Sequence, residues 1–283
     1  MDHNTKLYQF TIAMNKQASI LLVLFTAALF ACNSDNNTDA NNENAIAAPT
    51  ALSYELIKVY PHDTSSYTQG LEWNGHTLIE STGLEGKSVL QILDSNMKPL
   101  GNKVKLDKEY FGEGSTLFQN KIYQLTWKTH KVFVYDAKTL KKSNELYWPY
   151  EGWGLTHNDT SLIVSTGESN IYFVNPINFS IQKTLGVFNQ YGYLSNINEL
   201  EYVNGQLYAN VYGRNEVVVI DPQTGQVKSI IDFSNLLSQA GVKYDPLSID
   251  AGYVMNGIAY DADKKTFFVT GKCWPVLVEV RLR

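Results

Sequence analysis

Cysteine is almost missing from this chain: 283 residues contain two, Cys32 and Cys273. So few thiols exclude a disulfide framework, and no Cys/His set stands at metal-ligand spacing. The five histidines, His3, His62, His76, His130 and His157, are scattered, with no pair placed to share an ion. A basic excess is missing too. Lysine and arginine number 23 against 28 acids, the net charge is −5 and no basic stripe runs along any segment, so nucleic acid is not the expected partner. Long apolar runs are missing apart from one near the N-terminus, and segments with a helical period are scarce. What the chain does have is a 44% hydrophobic composition, enough for a large core, and 12% aromatics including 18 Tyr and 5 Trp, which suits strands.

The one apolar run, from Ala18 to Ala31, follows Lys16 and is broken only by Ser19 and Thr26. It is too short and wrongly flanked for a spanning helix and reads as a secretory signal. It closes Leu29-Phe30-Ala31-Cys32. A small residue before Cys resembles the lipobox of bacterial lipoproteins, in which the Cys is acylated and becomes the mature N-terminus; the rival is an ordinary signal peptide with a chance Cys. Met14-Asn15-Lys16 makes a normal signal start, which leaves the translation start open between Met1 and Met14. Residues 33–52 are rich in Asn, Asp, Ala and Thr with little to bury, and fit a tether. The expected layout is a signal peptide over 1–31, a tether over 32–52 and a folded domain over 53–283. The product is an exported lipoprotein, monomeric, held on the periplasmic or cell-surface side through lipid on Cys32 alone. Cys273, beside Trp274, then reads as a packed thiol.

The folded part is repetitive. Tyr67-Thr68-Gln69-Gly70-Leu71, Tyr110-Phe111-Gly112-Glu113-Gly114, Glu151-Gly152-Trp153-Gly154-Leu155, Ile197-Asn198-Glu199-Leu200 and Met255-Asn256-Gly257-Ile258 are copies of one unit. Their anchors at 70, 114, 154, 199 and 257 are 44, 40, 45 and 58 residues apart, a period that signals a repeat architecture. Each anchor opens an apolar strand, followed by a turn such as Asn74-Gly75 or Asn204-Gly205 and then a second and a third strand. Three third strands close with Asp94, Asp136 and Asp221, a fourth with Asn175. A fourth strand follows four of the units, around Lys103–Leu106, Asn144–Trp148, Gln182–Val187 and Val227–Ile231. The fifth has none, and an orphan strand, Tyr54–Tyr60, precedes the first. The economical solution is an all-β ring, a five-bladed β-propeller of four-stranded blades closed by pairing Tyr54–Tyr60 with Val276–Val280. A linear β-solenoid is the rival, but solenoid repeats are shorter and need no borrowed strand. Asn235–Ala240, before Gly241 in the long last interval, reads as a short helix.

In such a ring the starts of the first strands and the ends of the second strands open on one face. Gln69, Glu113, Trp153, Asn198 and Asn256 stand just before the anchors or at them; Gly83, Trp127, Gly167, Tyr212 and Lys272 stand just after the second strands. Phe111 and Tyr67, two residues before Glu113 and Gln69, rim the same mouth. Asn and Gln at strand starts are also ordinary turn chemistry, and aromatics at strand ends often only pack blades. The concentration is what points to a site. One carboxylate in an aromatic mouth has a raised pKa suited to proton transfer near neutral pH, and one lysine facing it stabilises developing negative charge. A non-catalytic propeller that binds peptide termini or glycans at this mouth is the alternative. A glycosidase needs two facing carboxylates; Glu199 is the candidate second acid, at an anchor otherwise held by Gly.

The same stretches, with Gln124-Leu125-Thr126-Trp127-Lys128, Leu207-Tyr208-Ala209-Asn210-Val211-Tyr212 and Val269-Thr270-Gly271-Lys272-Cys273-Trp274-Pro275, resemble the plant- and bacterial-type glutaminyl-peptide cyclotransferases over Tyr54 to Leu282. The resemblance implies a five-bladed propeller that converts the N-terminal glutamine of peptides or proteins to 5-oxoproline with release of ammonia. It implies Glu113 as acid/base, with Lys272, Gln69, Phe111, Trp127, Trp153 and Asn198 in the pocket, and no catalytic metal or other cofactor. A structural ion in the central channel stays open. Tyr67 stands where the family often has Phe, and Tyr212 where it often has Trp.

The targeting expectation is tested by mass spectrometry of the mature N-terminus from a bacterial host. Cleavage before Cys32 with a lipid on its sulfur is the expected outcome, and an unmodified Cys32 or cleavage elsewhere rejects it.

Overall fold

The computed structural model describes residues 45–101, 103–243 and 252–283. The expected signal segment, Cys32 and the first part of the tether lie outside them. Two strands come first, β1 (Thr50–Leu52) and β2 (Tyr54–Pro61). The first blade is β3 (Thr68–Trp73), β4 (Leu78–Thr82), β5 (Val89–Leu93) and β6 (Val104–Lys105). The second is β7 (Gly112–Phe118), β8 (Lys121–Thr126), β9 (Lys131–Asp136) and β10 (Lys142–Tyr147). The third is β11 (Leu155–His157), β12 (Leu162–Ser165), β13 (Asn170–Val174) and β14 (Ile181–Gly186), followed by a small hairpin, β15 (Phe188–Asn189) and β16 (Gly192–Tyr193). The fourth is β17 (Ile197–Val203), β18 (Gln206–Val211), β19 (Glu216–Ile220) and β20 (Val227–Asp232). After α1 (Leu236–Gln239), the fifth is β21 (Met255–Asp261), β22 (Thr266–Gly271) and β23 (Val276–Leu282), completed by β2.

This is the expected five-bladed propeller. The orphan strand closes it: β2 runs antiparallel to β23, with Tyr54 opposite Leu282 and Tyr60 opposite Leu277. The inner strands β3, β7, β11, β17 and β21 contact one another in ring order, β21 returning to β3. Each blade is sandwiched between two others, so its middle strands are buried on both faces and read as continuous apolar runs, such as Val217-Val218-Val219-Ile220. The core is therefore divided into five apolar clusters, one at each blade interface, with Leu71, Leu78, Phe268 and Leu277 filling the seam between the first and fifth blades. Fourth strands lie at the rim and are largely exposed, as in β10.

The turns form for the reasons their residues suggest. Asn204 and Gly205 both take positive φ, 49° and 82°, as a two-residue hairpin that matches strand twist requires. Asp94, Asp136, Asn175 and Asp221 each accept a backbone N–H two to four residues on, so these recurrent strand-end residues are Asx turns. Two features go beyond the sequence reading. Thr50–Leu52, assigned there to the tether, form β1, which pairs in parallel with β20 and covers the outer edge of the fourth blade. The β15–β16 hairpin carries too few residues to show an alternating pattern. The short helix is one residue tighter at each end than expected and buries Leu236 and Leu237.

The ring closure is locked by a buried ion pair. His62, just after β2, places Nε2 2.9 Å from Glu80 Oε1 in the first blade, while its Nδ1 lies 2.9 Å from the Trp274 carbonyl in the fifth. Thr68 and Gln91 donate to the remaining lone pairs of Glu80. Burial alone would favour the neutral forms, but each partner overrides it: His62 is raised and Glu80 lowered from their ordinary values. Removing one member of such a pair strands a buried charge, so His62→Ala should cost about 3–5 kcal/mol in denaturant unfolding. The histidine's contribution is full below its unfolded value of about 6.5 and is lost as pH rises through its raised folded value. The glutamate's contribution is full above its unfolded value and is lost as pH falls through its lowered one. The stability advantage of wild type over His62→Ala should therefore shrink on the alkaline side; an advantage that grows with pH would contradict this assignment.

Candidate functional site

The inner strands approach so closely that side chains do not fit at three of the anchors. A Cβ on Gly70 would lie 2.5 Å from Ser115 N, on Gly114 2.5 Å from Leu155 N and on Gly154 2.1 Å from the Asn198 carbonyl oxygen. Four of the five first strands also carry one residue more than their partners beside the anchor, with register shifts between Thr68 and Gly70, Gly112 and Ser115, Ile197 and Leu200, and Met255 and Ile258. Such bulges re-aim side chains. Here they release Gln69, Glu113, Asn198 and Asn256 from the regular alternation.

Polar residues of the second strands fix the bulges. The Ser81 hydroxyl donates to the Glu113 carbonyl, and Ser81 is in turn held by Gln124 and Tyr135 in sequence. Ser165 donates to the Asn198 carbonyl at 2.6 Å. Asn210 Oδ1 accepts from Gly257 N at 2.9 Å. Sequence reading missed these residues, although polar side chains recur in this part of the second strand; they had no partner until the ring was assembled.

Nine residues bound a cavity of about 310 Å³ at this mouth: Tyr67, Gln69, Phe111, Glu113, Trp127, Trp153, Asn198, Tyr212 and Lys272. All nine are expected site residues. The tenth, Asn256, lies behind the wall, fully buried, and donates from Nδ2 to the Thr68 carbonyl and to Gln69 Oε1. It therefore orients Gln69, leaving the Gln69 amino group for the cavity. The expected glycines form the floor under the rings: Gly83 lies beneath Phe111 and Gly167 beneath Trp153, where a Cβ would come within 2.3 and 2.6 Å of ring carbons.

Glu113 is 4% exposed, and no described residue donates a hydrogen bond to its carboxylate. Burial pushes it well above the usual carboxylate range; Lys272 opposes the shift and Glu151 adds to it. Lys272 is 3% exposed, and burial brings it down to about 8 against the pull of Glu113. Its Nζ sits 4.8 and 4.9 Å from the Tyr67 and Tyr212 ring centroids, a cation held between two π faces. Asn198 is 1% exposed, and neither its carboxamide oxygen nor its nitrogen has a partner among the described residues. Trp127 and Trp153 stand at the cavity's edge and both donate their indole N–H to Glu151 Oε2, at 2.8 and 3.2 Å.

Glu199 is not a second acid of this cavity. It lies in the channel, fully buried, and accepts from Leu71 N of the first blade at 3.2 Å and from Ile258 N of the fifth at 2.8 Å. Deeper in the channel, Glu201 accepts from Tyr260 N and Thr156, and Glu72 from Thr116 and Leu117 N. Burial raises all three carboxyls, Glu72 to about 7. Their oxygens serve protein donors, and among the described residues no group of three or more His, Cys, Asp or Glu is arranged to hold a metal ion.

The fold and the mouth define a class: a five-bladed propeller with one buried acid and one buried lysine facing each other in an aromatic, carboxamide-lined slot. The glutamine cyclotransferase family model matches residues 23–282, and the chain belongs to that family. It is 36% identical over 231 residues, 81% of this chain and 71% of the other, to a glutaminyl-peptide cyclotransferase of Arabidopsis thaliana. The crystal structure of the Myxococcus xanthus glutaminyl cyclase superposes with a TM-score of 0.74 at 34% identity, covering 83% of this chain and 98% of that one.

Adding a methyl to the cavity floor tests its shape. Gly83→Ala should displace the Phe111 ring, cost about 1–3 kcal/mol as overpacking does and weaken substrate binding, read as a lowered unfolding midpoint and a raised KM. Unchanged values for both would show that the ring is not seated on Gly83.

Proposed function

We propose that the chain is a glutaminyl-peptide cyclotransferase, closing the N-terminal glutamine of peptides or proteins to 5-oxoproline with loss of ammonia. The observation that carries this is Glu113, a buried carboxylate without described donors, set beside the unpartnered carboxamide of Asn198. A glutamine side chain is itself a carboxamide and complements both ends of Asn198, while its methylene stem suits the aromatic walls.

The reaction is intramolecular, so much of its entropy cost is already met. What remains is proton traffic and charge. Glu113, its carboxyl raised well above the usual range by burial, takes the proton from the α-amine as the amine attacks the side-chain Cδ. The C–N bond forms, the C=O electrons move to oxygen, and the ammonium of Lys272 with the Gln69 amino group stabilises that oxyanion. Glu113 returns the proton to the amide nitrogen, the old C–N bond breaks and ammonia leaves. Phe111, Trp127 and Trp153 keep out water that would otherwise hydrolyse the amide. Glu113 and Lys272 supply both the proton transfer and the charge stabilisation, so the reading calls on no catalytic metal. A structural ion in the channel would have to displace the donors that Glu72, Glu199 and Glu201 now use. Export as a lipoprotein with lipid on Cys32, and a monomeric state, belong to the same proposal; the support for the first is Ala31-Cys32 after the apolar run.

A Gln-initiated dipeptide scored by ammonia release is the test. Glu113→Gln keeps size and hydrogen bonding but accepts no proton, and turnover should fall on the order of 10²–10⁴-fold with folding intact. Lys272→Met should lose less. Wild-type kcat/KM should rise as Glu113 and the substrate amine lose protons and fall as Lys272 does, near pH 8, and Lys272→Met should remove that alkaline limb. Near wild-type turnover in Glu113→Gln would make Glu113 a structural channel residue and sink the mechanism.

A further inference from the structure

Glu151 has no part in the chemistry above, yet its carboxylate touches both indoles of the cavity. It lies in the connection between β10 and β11. Its Oε2 accepts from Trp127, which follows β8 in the second blade, and from Trp153, which enters the third. Lys128 completes the arrangement, with Nζ 3.8 Å from the Trp127 ring centroid and 3.8 Å from Glu151 Oε1. An indole has a single N–H donor, so both walls commit their only polar atom to one oxygen. Hydrogen bonds to a charged acceptor are among the stronger ones. A carboxylate placed only for solubility would have no reason to face two indole N–H groups from different blades. The outer sides of the rings are set by other contacts: Phe111 lies against Trp127 with centroids 5.6 Å apart, and Tyr212 against Trp153 at 5.7 Å.

We infer that Glu151 is a positioning residue for the cyclisation, its carboxylate joining the edges of Trp127 and Trp153 and so fixing the width of the slot that receives the glutamine stem. This rests on the cyclase reading above. A second consequence is electrostatic. Among the described residues, the titratable groups around Glu113 are Lys272 from the end of the fifth blade, Tyr67 from the entry to the first, Tyr212 after the second strand of the fourth and Glu151 from the entry to the third. Lys272 favours the ionised form of Glu113, Glu151 opposes it, and Lys128 offsets part of the Glu151 charge. Losing the Glu151 charge therefore shifts the Glu113 titration to lower pH.

The experiment compares wild type, Glu151→Ala and Glu151→Gln on a Gln-initiated dipeptide across pH, with near-ultraviolet circular dichroism to confirm folding. Glu151→Ala should raise KM about tenfold with kcat changed by less than about threefold, the loss expected for two charge-assisted bonds at a binding wall. Its acid limb of kcat/KM should move to lower pH. Glu151→Gln still offers an amide oxygen to the indoles but carries no charge, so it should recover most of the KM while keeping the shifted limb. An active wild type with unaltered KM and acid limb in Glu151→Ala overturns this inference alone. A fall in activity that only tracks loss of folded protein does the same. A folded wild type that releases no ammonia overturns the cyclase reading, and this inference with it.

Discussion

The crowding of five inner strands around one axis is the constraint on which the site depends. At Gly70, Gly114 and Gly154 the backbone of the next blade stands where a Cβ would be. At the fourth anchor the sequence has Glu199, and its carboxylate reaches across to the backbone of the first and fifth blades. The chain thus uses three close backbone approaches and one bridging acid to hold the ring together. Strands this close cannot all keep a regular ladder to their ends, and the extra residue in each bulge is where the ladder gives way. Because side chains alternate with a period of two, one inserted residue changes which face the next side chain takes. The same geometric necessity that closes the propeller therefore delivers Gln69, Glu113 and Asn198 to its mouth.

Four buried acids sit along this axis, and burial raises all of them, but they do not do the same work. Glu72, Glu199 and Glu201 each accept hydrogen bonds from backbone or hydroxyl donors, which both satisfies them and resists the shift. They are structural for that reason. Glu113 has no described donor and is answered only by the charge of Lys272 across the cavity. A raised carboxyl with free lone pairs is available to a ligand; a raised carboxyl whose lone pairs are occupied is not. The distinction between Glu113 and its three neighbours is one of hydrogen bonding rather than of burial.

That distinction also marks where the sequence stopped being legible. The blade count, the closing strand and the nine cavity residues were readable because repetition places equivalent positions on one face, whatever the details of each blade. Asn256 reads as part of the wall because it stands where Gln69 and Asn198 stand in their own copies; only the assembled ring shows it behind Gln69. Glu199 reads from sequence as an acid of the mouth because its partners are backbone groups of the first and fifth blades, far away in sequence. Glu151 stood two residues ahead of the tryptophan that drew notice in its motif, and nothing local shows that its oxygen also serves Trp127. The strand Thr50–Leu52 is too short to show a pattern and exists only because β20 offers it an open edge. Side-chain and backbone pairing between particular residues of different blades is not legible in the sequence; periodicity repeated five times, and the closing strand it implies, is.

The lysine side of the cavity follows from the two tyrosines. Lys272 is buried without an ion-pair partner within hydrogen-bond reach among the described residues; the π faces of Tyr67 and Tyr212 flank its charge, and Glu113 acts on it across the cavity. Indole is a better cation–π partner than phenol. The Tyr212 phenol is thus a weaker π face than an indole would be; burial, the largest influence on Lys272, brings it down to about 8 against the pull of Glu113. The phenols bring hydroxyls instead, and both point toward Gly252, where a Cβ would lie 3.0 Å from the Tyr67 oxygen and 3.8 Å from that of Tyr212. A lysine held by rings rather than by a carboxylate keeps its N–H donors free. In the proposed cyclisation those donors remain for the oxygen that gains charge as the glutamine ring closes, which a tight Lys272–Glu113 ion pair would not allow.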